Sequence, residues 1–306
     1  MDTRLLETFV AVAEGLHFGG AAKRLHIAQP AVSGQIRRLE DELGVQLFIR
    51  DRRKVILTEA GRAYLKEARP ILARVDLAQQ EARRAERGEI GTLSIGYSQY
   101  FLIHSVFPEM VRLYKERFPG VVLELRELFT SEQVEALLGG DIDVGLVTLP
   151  VADEGLRLET LLEQPLVAAL PDNHPLASNT QVALEVLADD PFVLFPRRQA
   201  PGVHDLITGV CREAGFVPQV VMETNSMQGI VGLVAAGIGV SLLPLNPSES
   251  WLQRPGLIYK ETAHFDLRVE MALAWRSEDE TPVFKGFLEV VRETAHTYSV
   301  RKPVGS

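Results

Sequence analysis

The most concentrated group of functional side chains in this sequence is a short basic cluster. Four basic side chains fall within the five positions Arg50, Asp51, Arg52, Arg53 and Lys54. Cations spaced this closely bind polyanions, because they neutralise phosphates and release condensed counterions. The whole chain has a formal net charge of −9, so only part of the molecule can bind such a partner.

Charge is distributed unevenly along the 306 residues. Residues 1–88 contain 16 Lys and Arg against 12 Asp and Glu, a net charge of +4, whereas residues 89–306 contain 16 against 29, a net charge of −13. The length also exceeds what a single core of roughly 250 residues supports. We therefore predict several domains, with a basic head for nucleic acid and an acidic body with another task.

Motifs that carry catalysis are missing. Residues 95–100 read IGYSQY rather than G-x-S-x-G, the GIGV at 237–240 precedes a strand pattern, and the seven histidines form no i, i+4 pair. The single cysteine, Cys211, excludes an intramolecular disulfide and a CxxC metal site, and it lacks the resolving thiol of a cysteine-pair peroxide sensor. These observations predict a protein that is not an enzyme and has no cofactor or metal.

The N-terminal segment gives no sign of export. It contains Asp2 and Glu7 and no apolar region of a secretory signal, and no run approaches the ~20 apolar residues of a membrane span. A lone cysteine also suits a reducing compartment. We expect a soluble, cytoplasmic protein without a membrane partner.

Three helical patterns precede the basic run. The first extends from a Thr3 cap to Gly15, the second begins near Phe18, and the third has Pro30 in its first turn and ends at Gly44. In the third helix, one apolar stripe consists of Val32, Ile36, Leu39 and Leu43. The opposite face either is the solvated surface of a helical bundle or contacts a partner molecule. Its residues are Pro30, Gly34, Arg37, Arg38 and Asp41, flanked by Gln29 and Ser33.

The residues that follow this helix favour the second alternative, a helix face that contacts a partner. VQLFIRDRRKVILT at 45–58 contains two short apolar runs around a charged tip, which is the pattern of a β-hairpin. Helix, turn, helix and basic hairpin form a winged helix-turn-helix, which inserts its second helix into the major groove of duplex DNA while nearby cations meet phosphates.

Residues 3–65 resemble the LysR-type transcriptional regulators. The matching positions are Ala21, Ala22, Gln29–Ser33, Leu39, Glu40, Leu43, Gly44, Leu47, Phe48, Arg50, Leu57, Thr58, Ala60 and Gly61. The resemblance implies bacterial promoter DNA as a partner, with Gln29, Pro30, Ala31 and Ser33 in the groove, Arg37 and Arg38 on the backbone, and Arg52 or Arg53, beside Arg50, on the wing. Two departures are Gly34, where relatives carry a basic or polar residue, and Ala28, where relatives offer a Ser cap.

A long helical pattern follows the hairpin. Thr58 can cap it, and small or apolar residues recur at steps of three and four: Leu65, Ala68, Ile71 or Leu72, Val75, Ala78, Ala82 and Ala85. This seam packs on its own domain or pairs with a second chain, and the length of the helix favours a dimer. The resemblance extends the expectation to a tetramer and to RNA polymerase as a further candidate partner.

In the body, apolar strand patterns alternate with helical ones. The strands are expected at 92–97, 121–127, 143–149, 165–171, 192–195, about 217–222 and 239–244. Such alternation predicts parallel sheets with helices on both faces, and ligands of these sheets bind at the carboxyl ends of strands. The loop residues that we place there are Ser98, Gln99, Tyr100, Thr130, Thr148, Arg197, Pro201, Gly202, Val203 and Asn225.

By resemblance, the fold is a multi-domain α+β chain. It comprises a winged helix-turn-helix domain (1–58), a linker and dimerisation helix (59–88) and a periplasmic-binding-protein-like effector domain (90–306), whose subdomains are 90–161 with 267–302, and 162–266. The effector between them is expected to be a small organic acid, aromatic acids included. Thr148 replaces an arginine of aromatic-acid sensors, so Arg197 or a helix N-terminus would receive the carboxylate. The alternative is a cytoplasmic solute-binding protein, or an enzyme of organic-acid metabolism that uses the same cleft.

Overall fold

The computed structural model describes residues 2–51, 54–98, 101–102, 106–151, 155–244, 254–264, 267–278 and 280–300. The chain divides into two compact units, Met1–Arg84 and Ala85–Ser306. We call the first unit the head and the second the body. The head contains α1 (Thr3–Gly15), α2 (Phe18–Arg24), α3 (Gln29–Leu43), β1 (Phe48–Asp51), β2 (Lys54–Leu57) and most of α4 (Glu59–Glu86).

The head folds around one apolar core. Phe9 of α1 lies at its centre, with its ring centroid 5.5 Å from Phe48 and 5.0 Å from Tyr64 of α4. The predicted stripe of α3 faces this core, and Val32, Ile36 and Leu39 are fully buried. One detail differs from the prediction: α1 is capped by Asp2, whose carboxylate accepts a hydrogen bond from the Arg4 N–H, and Thr3 is already helical.

The predicted hairpin is confirmed, and a buried acid holds its first strand. β1 and β2 pair antiparallel, with Phe48 opposite Leu57. The Glu40 carboxylate, 3 % exposed, accepts hydrogen bonds from the Leu47 N–H at 2.8 Å and the Phe48 N–H at 3.1 Å. This pairing fixes the start of the hairpin against the end of α3.

The start of α4 is fixed just as tightly. Thr58 caps the helix, since its hydroxyl accepts a hydrogen bond from the Gly61 N–H and donates one to the Gln46 carbonyl. A Cβ on Gly61 would lie 2.1 Å from the Leu47 carbonyl oxygen. The glycine therefore allows the helix to cross the hairpin at close range.

The body is built on a mixed sheet. Its strands are β3 (Ile90–Tyr97), β4 (Gly120–Glu127), β5 (Val144–Thr148), β6 (Leu156–Pro171), β7 (Gln181–Ala183), β10 (Ser241–Pro244), β11 (Leu257–Ala263) and β12 (Arg268–Arg276). The order is β4-β3-β5-β12-β6-β11-β7, with β10 also on β6. A separate parallel pair is formed by β8 (Pro191–Leu194) and β9 (Gln219–Glu223). The helices are α5 (Val106–Arg117), α6 (Thr130–Gly139), α7 (Pro201–Glu213), α8 (Met227–Ala235) and α9 (Pro282–Val300).

The prediction of purely parallel sheets was wrong. β3 is parallel to β4 and β5, but β12 runs antiparallel to β5 and β6, and β10 and β11 run antiparallel to β6. Strands β11 and β12 were not predicted, and β6 begins nine residues before its predicted start. Most of β11 is only half-buried, which weakens its apolar pattern, whereas β12 contains the buried apolar run Met271–Trp275 that the sequence analysis did not assign.

Two lobes share the long strand β6. The first lobe has apolar cores with residues from 93 to 161 and from 271 to 291. The second lobe has cores with residues from 166 to 269. The chain passes from one lobe to the other within β6 and again near the start of β12, and this arrangement leaves a cleft between them.

Candidate nucleic-acid interface and ligand cavity

The outward face of α3 carries the predicted groove residues. Gln29, Pro30 and Ala31 are exposed at the start of the helix, and Ser33 is half-buried. Ala28 occupies the cap position without a side-chain hydrogen bond, as its identity predicts. Pro30 has no N–H and the Ala31 N–H donates to the Ala28 carbonyl at 2.9 Å, so the start of α3 offers mainly side chains to a partner.

Two cationic side chains lie a little more than two turns from the start of α3. Arg37 and Arg38 are exposed, and the Arg38 Nε is 2.9 Å from the Glu42 carboxylate. An exposed ion pair of this kind is worth less than about 1 kcal/mol, so Arg38 can exchange Glu42 for a phosphate. The backbone of Arg50 lies in β1, and the wing residues Arg52 and Arg53 lie outside the described residues.

A cavity lies in the cleft of the body. It has a volume of about 80 Å³, so it admits a small molecule. Its lining residues are Ser98, Phe129, Thr130, Thr148, Phe195, Gln199, Ala200, Val203, Asn225, Ser226, Met227 and Pro244. Five of the ten predicted ligand residues line it: Ser98, Thr130, Thr148, Val203 and Asn225.

The remaining predicted residues have other surroundings. Arg197 does not line the cavity, because its guanidinium makes two 2.7 Å hydrogen bonds to the Asp205 carboxylate. The same pairing lowers the pKa of Asp205 to about 2. Pro201 and Gly202 begin α7 without entering the lining. Gln99 and Tyr100 lie outside the described residues.

Two contacts join the lobes beside the cavity. The Ser131 hydroxyl of α6 donates a hydrogen bond to the Arg198 carbonyl at 3.0 Å. Gly202 approaches Pro150 so closely that a Cβ would lie 2.4 Å from the Pro150 carbonyl oxygen. The lobes are therefore closed on each other at this point.

Three helices begin at the cavity wall, and none of the described lining residues carries a charge. Phe129 and Ala200 occupy the cap positions of α6 and α7 without side-chain cap hydrogen bonds, whereas Ser226 caps α8 by accepting from the Gly229 N–H. The Thr130 hydroxyl does not cap α6 but accepts a hydrogen bond from the Thr148 N–H at 3.4 Å. At the start of α6 the Glu132 carboxylate accepts from the Phe129 N–H at 2.8 Å, and Pro201 gives α7 no N–H at its first position. The wall therefore offers mainly the positive ends of helix dipoles.

Several lining residues were not predicted. Phe129, Phe195, Met227 and Pro244 form the apolar surface, and Gln199 and Ser226 add polar groups. Phe195 ends the predicted strand 192–195. Gln199 lies in the loop 197–204, and Ser226 and Met227 lie in the segment 225–227, both of which the sequence places near the cleft without singling out these residues.

The remaining reactive groups give no reactive thiol or metal site among the described residues. Cys211 is fully buried on α7, and burial raises the pKa of its thiol to about 11. In the described part of the chain, His, Cys, Asp and Glu nowhere form a group of three or more that could hold a metal ion. Among the described helices, none combines the length and apolar character required to cross a membrane.

Comparison with protein-family models decides the family. The model described as "LysR substrate binding domain" matches residues 86–296, and "Bacterial regulatory helix-turn-helix protein, lysR family" matches residues 3–62. The chain belongs to the LysR family. The resemblance and the predicted fold class are confirmed, because both LysR models match in the expected order.

Individual relatives agree with this assignment along the whole chain. The LysR-family chain is 38% identical over 290 residues to the HTH-type transcriptional regulator AlsR of Bacillus subtilis, covering 95% of each protein. It is 39% identical over 299 residues to the HTH-type transcriptional regulator IlvR of Caulobacter vibrioides, covering 96% of this chain and 98% of IlvR. It also resembles the structure of full-length CbnR complexed with its target DNA, with a TM-score of 0.80 at 29% identity, covering 96% of this chain and all of CbnR.

Membership of the LysR family fixes the class of activity. The protein is a DNA-binding transcriptional regulator with an effector-binding domain, and the prediction that it is not an enzyme is confirmed. The alternative of an organic-acid enzyme was therefore wrong. The promoter, the effector and the assembly are not given by the family alone.

Proposed function

We propose that this LysR-family regulator binds a two-fold-related promoter site and responds to a small organic acid held in the cavity between the lobes of the body. The observation that carries the proposal is the cavity wall, which receives three helix N-termini and has no charge among its described lining residues. An anion is favoured at such a wall by the positive ends of helix dipoles.

The residues that line the cavity also limit the size and polarity of the acid's carbon skeleton. Phe129, Phe195 and Met227 offer apolar contact, and a volume of about 80 Å³ favours a small acid. Thr148, where aromatic-acid sensors carry an arginine, favours a non-aromatic acid. A carboxylate would lie near the starts of α6 and α7, with its carbon chain toward the apolar side chains.

The head would contact DNA through α3 and the hairpin. Gln29, Pro30, Ala31 and Ser33 would meet base edges, since the start of α3 is exposed and uncapped. Arg37, Arg38 and the basic residues Arg50, Arg52 and Arg53 would meet phosphates. A contact between a side chain and the right base is worth roughly 1–3 kcal/mol, and the phosphate contacts supply most of the remaining affinity.

Self-association through α4 would double this interface. The first part of α4 packs on the head, with Ala68 buried, but the seam residues Ala78 and Ala82 are exposed. A second α4 can cover them, and two recognition helices about 34 Å apart then read two half-sites. A dimer would be the minimal unit, and a tetramer would join two dimers. At a promoter, such an assembly would engage RNA polymerase as a further partner.

The effector would act by shifting a population. An acid that binds better when the lobes are closed stabilises that state, and its effect on DNA affinity cannot exceed the difference between its affinities for the two states. The Ser131–Arg198 hydrogen bond and the Gly202–Pro150 contact belong to the closed state. They are the contacts that an effector would favour.

A thermal-shift comparison of acids with their amides tests the proposal. Propanoate and butanoate should raise the melting temperature of the full chain by mass action, whereas propanamide and butanamide should not. Equal stabilisation by acids and amides, or by neither, would contradict an anion site. DNA binding is checked separately by a mobility shift on promoter fragments, with scrambled competitor as control.

A further inference from the structure

A second depression of the body lies where the chain crosses between the lobes. It has a volume of about 310 Å³, and its described lining shares no residue with the cavity in the cleft. Its apolar lining comes from the end of β5, from β6 and from α7, and consists of Leu149, Pro150, Val151, Leu158 and Leu206. We call the depression lined by these residues and by Arg268 and Glu270 the hinge groove.

The hinge groove forms because β12 extends beyond the end of β5. Met271 of β12 pairs with Thr148, the last residue of β5. The Leu149 N–H then donates to the Glu270 carbonyl at 2.9 Å, and beyond this point the described part of the chain places no strand on that side of β12. Leu206 of α7 borders the resulting gap from the second lobe.

Two side chains of opposite charge stand at the groove. Arg268 and Glu270 are exposed and are separated by one residue of β12. Alternate residues of a strand point to the same side, with Cα atoms roughly 7 Å apart. The Arg268 Nε is 4.0 Å from the Glu163 carboxylate, and the Thr160 hydroxyl donates to the Glu270 carboxylate at 2.8 Å. Contacts between exposed side chains are weak, so a ligand can join or replace them.

The charges at the start of β12 favour a cation beside Glu270. Glu163 lies directly opposite Glu270 in the pairing of β6 with β12. Like charges at such a cross-strand position repel each other. Arg268 supplies one positive charge against these two negative ones, so an ammonium group brought by a ligand relieves the repulsion.

An aliphatic α-amino acid carries the groups that match these walls. Its ammonium donates hydrogen bonds to a carboxylate, its carboxylate accepts two parallel hydrogen bonds from a guanidinium, and its side chain is apolar. We propose that the hinge groove is a second ligand site, which holds an aliphatic α-amino acid with its ammonium at Glu270, its carboxylate at Arg268 and its side chain against the leucines of the lining.

This site joins the two lobes, as the cavity does, but it does not depend on the proposed acid site. Leu206 belongs to the second lobe, and Pro150 of the lining is the residue that Gly202 approaches across the lobes. A bound amino acid therefore favours the closed arrangement. Any ligand that favours the same arrangement from the cavity binds more tightly in its presence, and the effect is reciprocal.

Calorimetry on the full chain tests the site with L-leucine and two analogues that each lack one charge. 3-Methylbutan-1-amine has no carboxylate, and 4-methylpentanoate has no ammonium. Propanoate at high concentration is present throughout, so that the cleft cavity is not open to the probes. L-leucine should bind at least about fivefold more tightly than either analogue.

Two variants assign the charged groups. Arg268→Met should remove the preference for L-leucine over the amine, and Glu270→Gln should remove the preference for L-leucine over 4-methylpentanoate. Arg157→Met is the matched control, because Arg157 is an exposed arginine of β6 that pairs with Glu280 at 2.9 Å and does not line the groove. It should keep both preferences.

The outcomes separate this inference from the proposed function. No binding of L-leucine, binding no tighter than that of the analogues, or weaker binding when propanoate is added would overturn the hinge-groove site. Unchanged preferences in Arg268→Met and Glu270→Gln would overturn it as well. The comparison of L-leucine with its analogues uses the wild-type protein, so it decides the matter even if a variant does not fold. If propanoate fails to bind while L-leucine binds as expected, the acid site is wrong and the hinge groove stands.

Discussion

Glu40 is a charged residue in an apolar core, and its place is explained by the two N–H groups that it accepts. The carboxylate ties the Leu47 and Phe48 amides at the start of β1 to the end of α3. Hydrogen bonds to a charged acceptor are stronger than neutral ones, and buried amides left without an acceptor are costly. One side chain thus determines how the hairpin is placed beside the recognition helix.

Glu40→Ala should lower the free energy of unfolding of the head by roughly 3 kcal/mol, because two buried amides lose their acceptor. Urea unfolding of the full chain, followed by circular dichroism, measures the loss. Asp41→Ala removes an exposed carboxylate at the next position and should change stability by less than about 0.5 kcal/mol. Equal effects of the two variants would show that the Glu40 hydrogen bonds do not hold the hairpin.

Cys211 gives a prediction about reactivity. Its thiol is fully buried, and burial raises its pKa to about 11. At pH 8 only about one molecule in a thousand then carries the reactive thiolate. We expect a disulfide reagent to leave the native protein unlabelled and to label one thiol per chain in urea. Rapid labelling of the native protein would contradict a purely structural role for this cysteine.

The elements of the head were predictable and several of the body were not, for a physical reason. Helix α3 and the hairpin are specified by local periodicity and by Pro30 and Gly44 at the helix ends. Strands β11 and β12 depend on antiparallel pairing with β6, about one hundred residues away in sequence. A short window of sequence contains no trace of such a partner. Half of the ten predicted ligand residues line the cavity, because loops after strands reach the cleft.

The start of α7 should tolerate no added volume. Gly202→Ala places a methyl group 2.4 Å from the Pro150 carbonyl oxygen, so α7 must move away from the first lobe. We expect this variant to bind the proposed acids at least tenfold more weakly by calorimetry. Gly209→Ala lies on the same helix with nothing within 4 Å of the added atom, and it should raise stability by up to about 1 kcal/mol without changing affinity. Unchanged affinity in Gly202→Ala would show that the close approach has no part in binding.

At the scale of the molecule, the uneven charge constrains how DNA can be held. The residues from 89 onward have a net charge of −13 and would be repelled by a polyanion, so affinity must come from the head, whose segment 1–88 has a net charge of only +4. A single head with this charge makes few phosphate contacts. Two heads in one assembly add their contacts along the duplex, which makes pairing through α4 an electrostatic need as well as a geometric one.

Ala82→Glu tests that pairing. The exposed seam of α4 contains Ala78 and Ala82, and in a symmetric pair the two introduced carboxylates would face each other across the interface. We expect sedimentation to show a shift toward single chains, and binding to a two-half-site promoter fragment to weaken by at least tenfold. The slope of affinity against salt should also become shallower, because fewer phosphates are neutralised by each bound particle.

Gln80→Glu provides the control for added charge. It introduces the same carboxylate on the same helix, about 200° around the axis from Ala78 at 100° per residue, and so away from the seam. Association and the salt slope should match the wild type, with only a small general loss of DNA affinity from the extra negative charge. If both variants weaken DNA binding equally and neither changes association, α4 does not pair through this seam. The two heads would then have to be joined through the body.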